Sequence, residues 1–310
     1  MKAVRYHSHG GSGVLVYEDA DRPLAGAGQV VVKVAGAAFN PLDVAIRAGF
    51  VQQVFPVAFP HIPNYDVAGV VTEAGEGVSG WSAGDAVVAF LPVTAPGAAA
   101  EYVAAPADVL AAAPRTVERA DAAALPSAGL TAWQSLFEHA GLKQGQSVLV
   151  NGAGGAVGGY AVQLAKQAGA TVIATASARS ASRLRSYGAD QIVDYAANPL
   201  PQAVAGQQFD VVLDLVRSNP EQTAALAGLA ADGGAFVSTT FPDLDDAGRG
   251  VRTVKVFARS DAAQLSALVA RVDAGELKID VAQRRPLTDL PAVHDEAVAG
   301  RLTGKTVLIP

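Results

Sequence analysis

Cysteine is absent from this chain of 310 residues. Disulfides, thiolate catalysis, iron–sulfur clusters and cysteine-ligated zinc are therefore excluded. Half of the residues are apolar and mean hydropathy is +0.26, yet no apolar run reaches the roughly 18 residues of a membrane-spanning helix. The N-terminal segment MKAVRYHSHG lacks the apolar core of a secretory signal, and the absence of cysteine makes a cytoplasmic location the expectation. Charge is sparse at 17% and leans acidic, with a net of −6 and a pI near 5.4. Nucleic acid and anionic membrane are not expected as partners. The five histidines are dispersed, and His7, His9 and His61 read as surface or loop residues rather than metal ligands. No tyrosine is followed four residues later by lysine, which removes the short-chain type of dehydrogenase from consideration.

Against these absences stands one dense feature, QSVLVNGAGGAVGGYAVQLAKQAGATVIATA at residues 146–176. Val148, Leu149 and Val150 read as a buried parallel strand. A glycine cluster follows, then an amphipathic helix from Ala161 to Ala168 and a second β-branched run at Thr171, Val172 and Ile173. A strand, glycine turn, helix and strand in this order form a dinucleotide site. Glycines let the backbone turn sharply beside a pyrophosphate, and the helix N-terminus offers free N–H groups to its charge. Gly152, Gly154, Gly155, Ala156, Val157 and Gly158 are the expected contacts.

The length suggests two domains. Short β-branched runs with glycine and proline punctuation fill the first 115 or so residues: Val30 to Val34, Val67 to Thr72, Ala86 to Phe90 and Glu101 to Ala104. They read as a small β-barrel-like domain. Strands and helices then alternate, with strands expected at Gln191 to Asp194, Asp210 to Leu215, Ala235 to Thr239 and Thr253 to Phe257, which implies a doubly wound parallel sheet of six strands. A closing strand, Thr306 to Ile309, is expected to return to the first domain.

The segments AAFNPLDVAIRAGF, HIPNYDVAGVV, LPSAGLTAWQSLFEHAGLKQGQSVLVNGAGGAVG, FDVVLDLV, ADGGAFVS and GKTVLIP resemble the medium-chain dehydrogenase/reductase superfamily, and more narrowly its zinc-independent quinone oxidoreductase branch. The resemblance covers nearly the whole chain. It implies an α/β fold, with a Rossmann-type doubly wound sheet at 118–275 and a GroES-like β-barrel domain made of 1–117 and 276–310. It also implies a homodimer. Zinc enzymes of the superfamily carry a Gly-His-Glu segment where this chain has Asn64-Tyr65-Asp66.

The nicotinamide must then carry the reaction, donating hydride to a quinone or a small α,β-unsaturated carbonyl. The oxygen that gains negative charge needs a hydrogen-bond donor. By resemblance Asn40 and Thr131 lie at the nicotinamide end; Asn40-Pro41 also reads as a turn, and Thr131 also reads as a helix-start residue. Tyr65 is the nearest phenolic donor, Asp43 braces the loop, and Phe257 walls the nicotinamide or simply packs. Relatives often have a tyrosine near Phe50, so a proton from water becomes the alternative source. Cofactor choice rests on the end of the second strand, Ala174-Thr175-Ala176-Ser177-Ala178-Arg179, which lacks the carboxylate that NAD enzymes use for the ribose 2′-OH. Ser177, Arg179 and Arg183 suit a 2′-phosphate, and Tyr195 matches a family tyrosine near the adenosine phosphate, so NADPH is expected. Arg301 and Lys305 near the C-terminus either add charge there or are surface residues. Two other functions fit the same features: an enoyl-thioester reductase, and a non-catalytic NADPH-binding structural or regulatory protein.

Overall fold

A computed structural model describes residues 1–197, 199–240 and 249–310. In chain order the strands are β1 (Lys2–Arg5), β2 (Val16–Asp19), β3 (Gln29–Ala38), β4 (Asp66–Ala74), β5 (Ala86–Phe90), β6 (Tyr102–Pro106), β7 (Leu110–Ala112), β8 (Ser147–Asn151), β9 (Thr171–Ala176), β10 (Gln191–Asp194), β11 (Phe209–Asp214), β12 (Ala230–Ser238), β13 (Arg252–Lys255), β14 (Gln283–Pro286) and β15 (Thr306–Ile309). The helices are α1 (Pro41–Ala48), α2 (Pro126–Trp133), α3 (Ala156–Gln167), α4 (Ala178–Ser186), α5 (Leu200–Ala203), α6 (Pro220–Ala227), α7 (Ala262–Asp273) and α8 (Leu290–Val298).

Two compact units emerge, residues 1–127 with 260–310, and residues 128–259. Sequence reading puts the borders at 117/118 and 275/276. The later border differs because α7 packs on β7 and so goes with the first unit.

In the first unit β3 is the central strand. Its whole length pairs with β4, its first half also pairs with β6, and its end pairs with β15. Val30, Val31 and Val32 are all fully buried, so both faces of β3 are covered. The strand Thr306–Ile309 thus returns to this sheet, with β14 added beside it. After β3 the chain reads Asn40-Pro41-Leu42-Asp43. Asn40 is the N-cap of α1, Pro41 occupies the first helical position, and the Asp43 carboxylate accepts the Asn40 N–H at 2.8 Å in a capping box. The turn expected at Asn40-Pro41 is therefore a helix start.

The second unit holds six parallel strands in the order β10-β9-β8-β11-β12-β13. Strand order reverses between β8 and β11, and ligands of such sheets bind outside the carboxyl ends at that point. Leu149, Ile173, Val212 and Phe236 from neighbouring strands form its core. Three local expectations shift. The helix after the glycine turn starts at Ala156, because Gly158 and Gly159 are helical and allow close packing. The helix bearing Thr131 starts at Pro126 and gives way to a π-helical stretch at Gln134–His139, so Thr131 lies inside it rather than at its start. The last sheet strand stops at Lys255, leaving Phe257 beyond it and 57% exposed.

Candidate functional site

The glycine turn of the second unit runs from β8 into α3. Gly152 has φ of 84°, a left-handed conformation natural only to glycine, and its N–H donates to the Thr175 hydroxyl at 2.8 Å. At Gly158 an added Cβ would stand 2.4 Å from Ala153 Cα, so the helix can approach the turn only without a side chain. Gly155 is the N-cap of α3, and no side chain caps the helix. Its first N–H groups lack intrahelical acceptors, and Gly155 is exposed while Ala156 and Val157 are half-buried. An uncapped helix start behind a cradle without side chains fits a dinucleotide pyrophosphate.

Beyond the end of β9, Ser177 is the N-cap of α4 with its hydroxyl unused in capping, and Arg179 is exposed in the first turn. Arg183 lies one turn on and donates from Nη2 to the Gly154 carbonyl at 2.6 Å, tying α4 to the glycine turn. Tyr195, just past β10, is 55% exposed. Strand β11 carries two carboxylates: Asp210, bound to Ser147 at the end far from the turn, and Asp214, wholly buried at the near end.

Asn40 belongs to a buried polar cluster of the first unit. Its Nδ2 donates to Asp66 Oδ2 at 2.9 Å and to the Ala38 carbonyl at 3.3 Å. Its Oδ1 accepts from Lys305 Nζ at 2.6 Å and from the Ser127 hydroxyl at 3.3 Å. Asp66, 0% exposed, also accepts from the Ser127 N–H at 2.8 Å, the Ser127 hydroxyl at 2.6 Å and Lys305 at 3.2 Å. Lys305 is thus not a surface residue, one of the two sequence readings, but a buried ion-pair partner of Asp66. Asp43 accepts the Asn64 N–H at 3.1 Å as well as that of Asn40, which makes it the brace of this loop. Burial pushes its carboxyl up to about 7, against the pull of those N–H groups and of Lys305.

Tyr65 is buried against Phe90, with ring centroids 5.3 Å apart. Its hydroxyl is held well above the usual phenol range by burial and by Asp43 and Asp66. His61 is not a surface residue either: it is 4% exposed, bridges to Tyr6 and is pushed down to about 4 by burial, with His9 adding to the shift. Its segment folds back onto Tyr6 just past β1, which the sequence pattern does not signal. Phe50 is 83% exposed. Among the described residues no three His, Asp or Glu side chains are grouped to hold a metal ion. The roles of Asp66, Ser127 and Asp214 escaped sequence reading. Only the Asp closing the apolar run FDVVLD at 209–214 was a signal.

A family described as alcohol dehydrogenase GroES-like domain matches residues 26–115, and one described as zinc-binding dehydrogenase matches residues 187–308. The chain is 34% identical over 327 residues to a chloroplast envelope quinone oxidoreductase homolog of Arabidopsis thaliana, covering 100% of this chain and 98% of the relative. It is 34% identical over 322 residues to the 2-methylene-furan-3-one reductase of Solanum lycopersicum, covering 100% and 79%. The solved quinone oxidoreductase of Coxiella burnetii superposes with a TM-score of 0.90 at 31% identity, covering 100% and 99%. With its Rossmann-type sheet and GroES-like domain, the chain belongs to the medium-chain dehydrogenase/reductase superfamily, in its quinone oxidoreductase type.

Proposed function

We propose that this protein is a cytoplasmic, homodimeric, NADPH-dependent oxidoreductase that transfers hydride, without a metal, to a quinone or a small α,β-unsaturated carbonyl. One observation carries the reading. The glycine turn opens on an uncapped helix, and the neighbouring strand β9 ends without a carboxylate but with a free Ser177 hydroxyl and an exposed Arg179. The names of the two plant relatives support an acceptor of this class. Metal independence is supported by the absence of cysteine and by the engagement of the Asp66 carboxylate with Asn40, Ser127 and Lys305.

When bound, NADPH supplies the hydride. Gly152, Gly154, Gly155, Ala156, Val157 and Gly158 hold the pyrophosphate, and Arg183 keeps that turn in place through Gly154. Ser177 and Arg179 take the 2′-phosphate, and Tyr195 flanks the adenosine. In this reading Thr131 and Tyr65 offer hydroxyl donors for the oxygen that gains negative charge, and Phe257 offers an apolar wall. Burial keeps the Tyr65 proton in place, so it polarises rather than ionises and the final proton comes from water. Asn40 holds the Asp66–Lys305 pair. It donates elsewhere only by releasing the Ala38 carbonyl, the longer of its two donated bonds at 3.3 Å.

A panel of quinones, enones and enoyl thioesters, assayed by NADPH oxidation with and without a chelator, tests the reading. Turnover of quinones or enones unaffected by chelation is expected. Turnover of enoyl thioesters alone, binding without any turnover, or loss on chelation reversed by zinc would each overturn it.

A further inference from the structure

Asn151 closes β8 and Asp214 closes β11, side by side where the strand order reverses. Asn151 Nδ2 donates to Asp214 Oδ1 at 2.8 Å, and the Val216 N–H donates to the same oxygen at 3.2 Å. Asn151 Oδ1 accepts from the Thr175 hydroxyl at 3.2 Å, and the Thr175 oxygen accepts the Gly152 N–H at 2.8 Å. One line of hydrogen bonds therefore crosses three strand ends, from Asp214 to the first residue of the glycine turn. Residues beyond Asp214 press on the same turn: a Cβ on Gly152 would stand 2.8 Å from Val216 Cγ2.

Asp214 is 0% exposed, and its buried Oδ2 has no hydrogen-bond partner among the described residues. Both donors reach one oxygen and leave the other bare. A carboxylate anion in that setting has half its charge unsolvated, whereas the neutral acid does not. We propose that Asp214 is a positioning residue for the dinucleotide turn that works as the neutral acid, and that its ionisation weakens dinucleotide binding. The proposal rests on reading the turn as a dinucleotide site.

Charge makes the link. A pyrophosphate at the start of α3 brings negative charge near the buried carboxyl, so binding favours the protonated form and protonation favours binding. Burial already raises the Asp214 carboxyl above its ordinary range, opposed by Asn151 and the Val216 N–H. Its bonded neighbours are all uncharged: Asn151 from β8, Val216 of its own turn, and the Thr239 N–H, which donates to the Asp214 carbonyl. From β9 comes Thr175, and from β12 comes Ser238, whose register partner on β13 is Lys255. Arg217 follows three residues on, and Asp210 sits at the opposite end of β11.

NADPH affinity, measured by fluorescence titration from just above the ordinary carboxylate range upward, tests the proposal in the native protein and in Asp214→Asn. The native Kd is expected to weaken with rising pH, approaching tenfold per pH unit once free Asp214 ionises. The variant should lack that component. Titration of the NADPH 2′-phosphate is common to both and cancels in the ratio. A ratio of the two Kd values that stays constant across the range overturns the proposal. Should the variant not fold, calorimetry of the native protein at about pH 8, in two buffers of different ionisation heat, decides. Net proton uptake on binding is expected, and none, or release, overturns the assignment. No NADPH binding at any pH would instead remove the dinucleotide reading beneath it.

Discussion

Arg179 and Asp43 show how differently two charged residues are used. Arg179 is exposed and makes no ion pair among the described residues. A charge-assisted hydrogen bond to a 2′-phosphate contributes about 1.5–3 kcal/mol, or roughly 10- to 150-fold in affinity. Solvent screening puts Arg179 toward the lower end. Arg179→Ala is expected to weaken NADPH binding by about that factor, leave NADH binding unchanged and lower kcat little, since the contact lies far from the hydride. Equal loss of both cofactors in titration would assign Arg179 to structure instead. Asp43 works inside the fold. Its carboxyl is pushed up to about 7 from a reference of 3.8, so the folded state holds the proton more tightly than the unfolded chain. Its contribution is fully present below about pH 4 and is lost as pH rises through about 7, amounting to about 4 kcal/mol. Urea unfolding of Asp43→Asn and of the native protein at pH 5 and pH 8 should show this dependence only in the native protein. Parallel pH profiles would contradict it.

Among the elements, the turn between β8 and α3 and the cap of α1 carry the most consequence. Gly158→Ala would place a Cβ 2.4 Å from Ala153 Cα and 2.6 Å from the Gly152 carbonyl oxygen, both backbone atoms unable to swing aside. The helix start must shift, with an overpacking cost of about 1–3 kcal/mol. NADPH binding should fall sharply while far-UV circular dichroism stays near native. Unchanged affinity would mean that the helix start is not the phosphate site. The strand and glycine turn were legible because their pattern is local. The cap of α1 was not read, because an Asn-Pro pair alone suggests a turn; the Asp three residues after Asn40 was the capping signal passed over. The start of α3 was not legible, because glycine-rich helix turns carry no apolar period.

For the whole molecule, the edge strand β13 bears on assembly. Among the described residues it pairs with β12 on one side and ends the six-stranded sheet on the other. An open edge invites pairing with a copy of itself about a two-fold axis. Sedimentation is expected to give about twice the 31.4 kDa of one chain. A single-chain mass at assay concentration would show that the edge is covered otherwise. The C-terminal strand has a clearer task, since β15 joins β14 to β3 and carries Lys305 into the Asp66 cluster.

Local pattern, by itself, determined the alternation of strands and helices, the parallel sheet, the glycine turn and the missing carboxylate after β9. Each depends on residues within a few positions of one another, and period and turn chemistry express such relations directly. Only the tertiary structure decided that Lys305 meets Asn40 and Asp66, that His61 is buried against Tyr6, and that Asp214 anchors Asn151 with one oxygen left bare. Those partners stand far apart in the chain. Whether a polar side chain is solvated or buried and paired depends on which strands the sheet brings side by side, and no short window of sequence contains that.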